Sequence, residues 1–289
     1  STPHIYLLHL TSTFYTSQLL SVPHNYFQKT HEMNHPKYFA NLTTLSLLIM
    51  ATCTGLKPTH AHDTWVEAGS LAHRQGDWLY VDLRLGNHGN NHRDFKLASQ
   101  ITLAPCTLEV SSPSGQQIDL KPSLTDTGNA EKEGYWTAKY IPQEAGLHEV
   151  LHTLDTLHHT TRAIKSGKTY FVSTDSFNAF PAAGKQYSIC HRLGLELMLK
   201  TPPADLAAGH PVRLQVMRSG KPLANASVAF IPRGTTLTSE RDPDYERTSD
   251  ASGYVEFVPI EGNLILAVVH HLEKEETGPD YDQTHYSAT

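Results

Sequence analysis

The chain has 289 residues, 18% of them charged and 39% hydrophobic, which excludes a wholly disordered polymer. It carries 23 Lys and Arg against 29 Asp and Glu, a net charge of −6, and no long basic run, so a nucleic-acid surface is excluded. No stretch of about 18 apolar residues occurs, so a spanning helix in a processed chain is excluded too.

Residues 1–32 mix Tyr, Thr, Ser and His without a period and read as a non-native or extended N-terminal segment. Met33 and Lys37 then precede a short apolar run, 39–51, and the triplet Thr59-His60-Ala61. A positive start, a run too short to span and a small-x-small site predict a cleaved secretory signal over 33–61. Cleavage after Ala61 makes His62 the new N-terminus, and cleavage after Thr59 makes it His60. An uncleaved anchor helix and a lipid on Cys53 are the alternatives. Thirteen of the 19 histidines follow Ala61, so the enrichment does not come from the leader.

From 62 onward the pattern is all-β. Leu79, Val81, Leu83 and Leu85 alternate with other residues, the period of a half-buried strand. Short runs follow at 107–110, 117–120, 135–141, 147–151 and 169–173, divided by Gly, Pro, Asn and Ser clusters. The Thr-rich stretch 155–166 favours strand or loop over helix. Residues 177–186 read as an interdomain connection. A second set then begins at 193–199, and 212–217 is expected to pair with 226–231 across Ser219-Gly220-Lys221-Pro222. Two more runs lie at 254–258 and 264–270, and a last, short or missing strand at 283–288. Strands at this spacing predict two β-sandwich domains, 62–176 and 187–289. Cys106 and Cys190 form one disulfide or stay as two buried thiols; spacing does not decide.

Several patterns resemble an exported family of unknown function labelled a periplasmic cobalt or nickel uptake component (NikM-like). They are His62-Asp63-x-Trp65-x-Glu67, Gly220-Lys221-Pro222-Leu223-Ala224-Asn225-Ala226, Ile231-Pro232-Arg233-Gly234, and Asp242-Pro243-x-Tyr245-Glu246-Arg247-Thr248-x-Asp250-x-x-Gly253, closed by Tyr281-Asp282-x-x-x-Tyr286. The resemblance implies a periplasmic protein with two immunoglobulin-like domains, the second also similar to prealbumin-type sandwiches. It implies a membrane uptake transporter as partner.

The histidines carry the visible chemistry, because imidazole is the commonest metal ligand. A mature N-terminal His62 offers both its amine and its ring to one ion, and with a second His it suits copper. A start at His60 would place His62 third, a square-planar arrangement for Cu(II) or Ni(II). His88 and His92 share a loop with Gly89, where convergence is allowed but not enforced. His270 and His271 end an apolar strand, one pointing inward and one outward. His148, His152, His158 and His159 read as exposed strand faces, and His191, His210 and His285 carry no assigned role. No Gly-x-Ser-x-Gly or His-Glu-x-x-His pattern and no phosphate loop occurs, so no enzyme is predicted. The acidic loop 242–250 reads as internally ion-paired with Arg241 and Arg247. The expected function is capture or delivery of Ni, Co or Cu through His62, His88, His92, His270 and His271. The alternatives are a metal-free envelope interaction module and a copper oxidase.

Overall fold

A computed structural model describes residues 62–86, 95–176, 188–237 and 241–289. The predicted leader, 1–61, and the loop with His88 and His92 lie outside the described residues. So does the whole of the 177–186 connection. No helix of the described residues is long and apolar enough to cross a membrane.

Seventeen strands are described. The first half holds β1 (Asp63–Glu67), β2 (Ala72–Arg74), β3 (Leu79–Gly86), β4 (Cys106–Ser111), β5 (Gln117–Asp119), β6 (Thr125–Asp126), β7 (Trp136–Tyr140), β8 (Gly146–His158) and β9 (Thr161–Thr174). The second holds β10 (Leu195–Leu199), β11 (Val212–Arg218), β12 (Lys221–Pro222), β13 (Ser227–Pro232), β14 (Glu246–Thr248), β15 (Tyr254–Phe257), β16 (Ile265–Glu273) and β17 (Gln283–Ala288). The fold is all-β, in sandwiched sheets. One four-stranded sheet runs β1-β3-β7-β6, and another joins β10, β11, β12 and β15. A nine-stranded sheet runs β14-β13-β16-β17-β9-β8-β4-β5, with β2 also on β9.

The long strand β9 explains that continuity. It pairs with β8 along one edge, and its other edge takes β17 and then β2, both parallel. The large sheet therefore backs two separate cores. One gathers Leu83, Leu108, Val110, Val150 and Phe171, and the other gathers Leu195, Val216, Phe230, Val269 and Tyr286.

Two strand expectations change, and the cysteine alternative left open is decided. β11 does not pair with β13: it pairs with β10 and β15, while β13 pairs with β14 and β16 in the opposite sheet. Ser219 and Gly220 adopt positive φ, so the chain folds tightly into the two-residue β12 before crossing between sheets. β17 is a full six-residue strand, paired antiparallel with β16 and parallel with β9. Cys106 and Cys190 are both free, and burial pushes the Cys106 thiol up to about 11. Arg247 donates to the carbonyls of Pro243, Asp244 and Glu246 rather than to the acidic side chains of its loop.

His148 and His152 are not exposed, because the β1-containing sheet covers their face of β8; both are fully buried. His148 stacks flat on Phe171 at 4.7 Å and its Nδ1 faces the Gly146 carbonyl at 3.2 Å. His152 Nδ1 donates to the Thr107 carbonyl at 2.8 Å, and Thr64 Oγ1 lies 3.0 Å from its Nε2. One ring thus ties β8 to β4 and β1. Opposite His152 on β9 stands Gly167, where a Cβ would come within 3.0 Å of the Thr289 hydroxyl and 3.5 Å of the Trp65 Cα. The missing side chain lets β1 lie directly on the sheet, so Gly167→Val is expected to destabilise the protein by about 1–3 kcal/mol in a denaturant melt.

Candidate metal centre

The site is built by β1. Alternate residues of a strand point to opposite sides, and here both sides are covered. Val66 packs into the core of the first half, and Thr64 reaches His152. Asp63, Trp65 and Glu67 face the second half instead. Trp65 clusters with Ala229, Ile231, Leu266 and Val268 of β13 and β16. Glu67 accepts from the Trp65 indole at 2.7 Å and pairs with Arg233 beyond the end of β13. Asp63, with no exposed surface, receives His270 of β16, whose Nε2 lies 2.9 Å from Oδ2. The Asp-x-Trp-x-Glu pattern is thus a row of anchors that stitches β1 to the far sheet.

His270 is held from both ends. With Nε2–H donating to the Asp63 carboxylate, the neutral ring leaves a lone pair on Nδ1. That nitrogen faces Nε2 of His285, on β17, at 3.2 Å, and the ring centres are 5.1 Å apart. Two nitrogens each 2.0–2.1 Å from one ion stand roughly 2.9–3.4 Å apart, from square-planar to tetrahedral angles. The imidazole pair therefore already has the spacing of two ligands of one metal. An ion there would replace the His285 Nε2 proton, and Asp63 would occupy the orienting place behind His270.

His62 immediately precedes Asp63. Its pKa is lowered, first by burial and then by the charges of Lys165 and His158, with Asp63 opposing them. Burial therefore favours its neutral form. Lys165 is 6% exposed, and burial lowers its pKa against the pull of Asp63. It shares a sheet face with Ser287 and, through it, His270, and its charge works against a cation beside it.

Of the sequence-predicted set, His270 pairs with Asp63, and His62 precedes Asp63 in the chain. His271 points to the other face of β16, where Nε2 sits 2.7 Å from Glu273 Oε1. His285 was missed. Its signal was alternation in the stretch 283–288, and only the pairing of β17 with β16 gives that signal meaning. Among the described residues no three His, Cys, Asp or Glu side chains form a group that could hold a metal ion.

Solved structures similar to this chain share little sequence with it. A DUF4785 family protein from Legionella pneumophila is 14% identical, with 71% of this chain and 46% of that one covered and a TM-score of 0.27. The D0-D1 domain of intimin is 15% identical, covering 78% and 95%, at a TM-score of 0.21. Salmonella alpha-2-macroglobulin reacted with methylamine is 14% identical, covering 79% and 15%, at 0.26. The chain thus spans less than half of the first of these and a small part of the third. No curated protein matches. A family model does: over residues 59–272 the chain belongs to the family described as Domain of unknown function (DUF4198).

Proposed function

We propose that this protein binds one transition-metal ion between His270 Nδ1 and His285 Nε2, completed by His62 once cleavage after Ala61 frees its amine. The carrying observation is the 3.2 Å nitrogen separation, with Asp63 locking the ring of His270 from behind. In a chain cleaved after Ala61, His62 adds its terminal amine. The amine is one nitrogen donor that the uncleaved chain does not offer. An imidazole and amine set suits Ni, Co and Cu. With the NikM-like resemblance of the sequence, it supports a periplasmic protein that captures such an ion and delivers it to a membrane uptake transporter, with no covalent chemistry.

The test is calorimetric titration of protein beginning at His62, beside protein that retains Ala61. Affinity is expected to rise in the order Co(II), Ni(II), Cu(II). It is expected to fall when Ala61 blocks the amine. Asp63→Asn is expected to weaken binding by about 10–100-fold, because the ring of His270 loses its orienting partner. His285→Ala should lose more than Asp63→Asn does. Equal binding by wild type and His285→Ala refutes this centre. Absence of any micromolar binding returns the protein to the interaction-module reading.

A further inference from the structure

Two neighbouring polar side chains are buried beside the histidine pair without a partner. His270, Ser287 and Lys165 stand directly opposite one another on β16, β17 and β9, so one row across the sheet carries all three on the same face. Ser287 is 1% exposed, and its Oγ makes no hydrogen bond. Lys165 is 6% exposed, and its side chain forms no hydrogen bond or ion-pair contact among the described residues. Buried polar groups are nearly always paired, and a charged one is the most costly to leave alone.

The surrounding charges place the ammonium. It acts on His62 and on His152, and Asp63 acts on it in return. Nζ therefore lies on the β1 side of the sheet, towards the carboxylate that holds His270. Asp63 is the one acid among the groups acting on Lys165 and His62, and its Oδ2 is already engaged by His270. A divalent ion between His270 and His285 adds two positive charges to that of Lys165, against the single negative charge of Asp63. The loaded site is then short of two negative charges, and a buried excess of that size needs a counter-ion.

These groups specify the missing component. It carries two negative charges, offers oxygen acceptors to the Lys165 ammonium and the Ser287 hydroxyl, and keeps an oxygen for the ion. Cu(II) and Ni(II) take mixed nitrogen and oxygen sets in square-planar or tetragonal sites. β1 lies close on this face: at Gly167, next after Lys165 on the same side of β9, a Cβ would stand 3.5 Å from the Trp65 Cα. Flat carbonate suits such a space better than tetrahedral phosphate.

We infer that carbonate binds together with the metal ion, one oxygen on the ion and the others accepting from Lys165 and Ser287. Bicarbonate from solution gives up its proton to solvent as it binds. The inference rests on the metal centre proposed above and makes capture of the ion conditional on dissolved carbonate.

The experiment titrates Ni(II) calorimetrically, at one mildly alkaline pH, into the chain processed after Ala61, in carbonate-free buffer and with added bicarbonate. Affinity is expected to rise at least about tenfold with bicarbonate, because the added anion offsets the repulsion between the ion and Lys165. Competition by carbonate for the free ion acts in the opposite direction. Radiolabelled bicarbonate is expected to stay with the protein through gel filtration, one per Ni(II), and to leave when the ion is chelated. Lys165→Met is expected to remove both the rise and the retained label; apolar replacement of a buried charged group is often neutral for folding. Ser287→Ala is expected to reduce the rise, and it serves should the first variant not fold. Equal Ni(II) affinity of the wild type with and without bicarbonate overturns the carbonate and leaves the metal centre standing. So does a full rise in folded Lys165→Met, or an equal rise with chloride in place of bicarbonate. No Ni(II) binding in either buffer overturns the metal centre and the carbonate together.

Discussion

Glu196→Ala is expected to destabilise the protein by about 3–5 kcal/mol, the usual cost of leaving one member of a buried ion pair alone. Glu196 has no exposed surface and Lys168 almost none. Oε1 accepts from the Leu193 amide at 2.7 Å and faces the Cys190 thiol at 3.5 Å. Oε2 accepts from the His191 amide at 3.0 Å and from Lys168. Residues 190–193 are therefore wrapped around one carboxylate. Burial alone would raise its pKa, but Lys168 and the two amides outweigh burial and hold it below the ordinary carboxylate value. His191 extends the network to Glu149 of β8 at 2.6 Å, so the entry to the second half is tied to the first. A denaturant melt measures the loss. The double variant Lys168→Met, Glu196→Leu is expected to recover most of it, since well-packed apolar replacements of buried pairs are often neutral. A single variant within about 1 kcal/mol of wild type contradicts the network's role, because a buried charge cannot be orphaned so cheaply.

The second large effect is acid sensitivity through His152. Burial, aided by the charge of Lys165 and opposed by the Thr107 carbonyl, lowers its pKa from 6.5 to about 4. The folded protein therefore keeps the ring neutral while the unfolded chain takes up a proton below pH 6.5. The sign follows: stability is full above about pH 6.5 and is lost as pH falls towards 4, by roughly 3 kcal/mol in total. Melts at pH 7.5 and pH 5 should differ by about 2 kcal/mol from this group. Glu196, held low, loses its contribution only at lower pH, while His148 and His62, whose pKa values burial also lowers, share this window with His152. His152→Gln keeps a donor for Thr107 and an acceptor for Thr64 but does not titrate. Its stability is expected to be flatter between pH 7.5 and 5, and a slope equal to that of wild type would assign the acid loss elsewhere.

Strand content was legible because it depends on local alternation. Leu79 to Leu85 and the runs near 107, 147 and 169 all fall within strands that the structure contains. The burial of His148 and His152 was not legible. A histidine reads as polar in any pattern, and only the sheet bearing β1 places Thr64 and a lid over that face. The pairing of β11 failed for a related reason. A turn between two strands predicts a hairpin, but the two-residue β12 uses that turn up before the chain crosses to the other sheet. Of the candidate site, His62 and His270 were visible as chemistry without a location, and the alternation of 283–288 carried no partner for His285.

What the sequence determined by itself was the all-β class, the alternation that sends His270 and His271 to opposite faces, and the spacing of Asp63, Trp65 and Glu67 along one side of a strand. These follow from the two-residue period of an extended backbone, which each segment carries alone. What only the tertiary structure decided was that β17 lies between β16 and β9. That placement sets His285 against His270 and lays β1 across the sheet with Asp63 behind them. Partner choice between strands rests on contacts more than 200 residues apart, as between Asp63 and His270. No local period records them, because they form only when the cores on both sides of β9 close together.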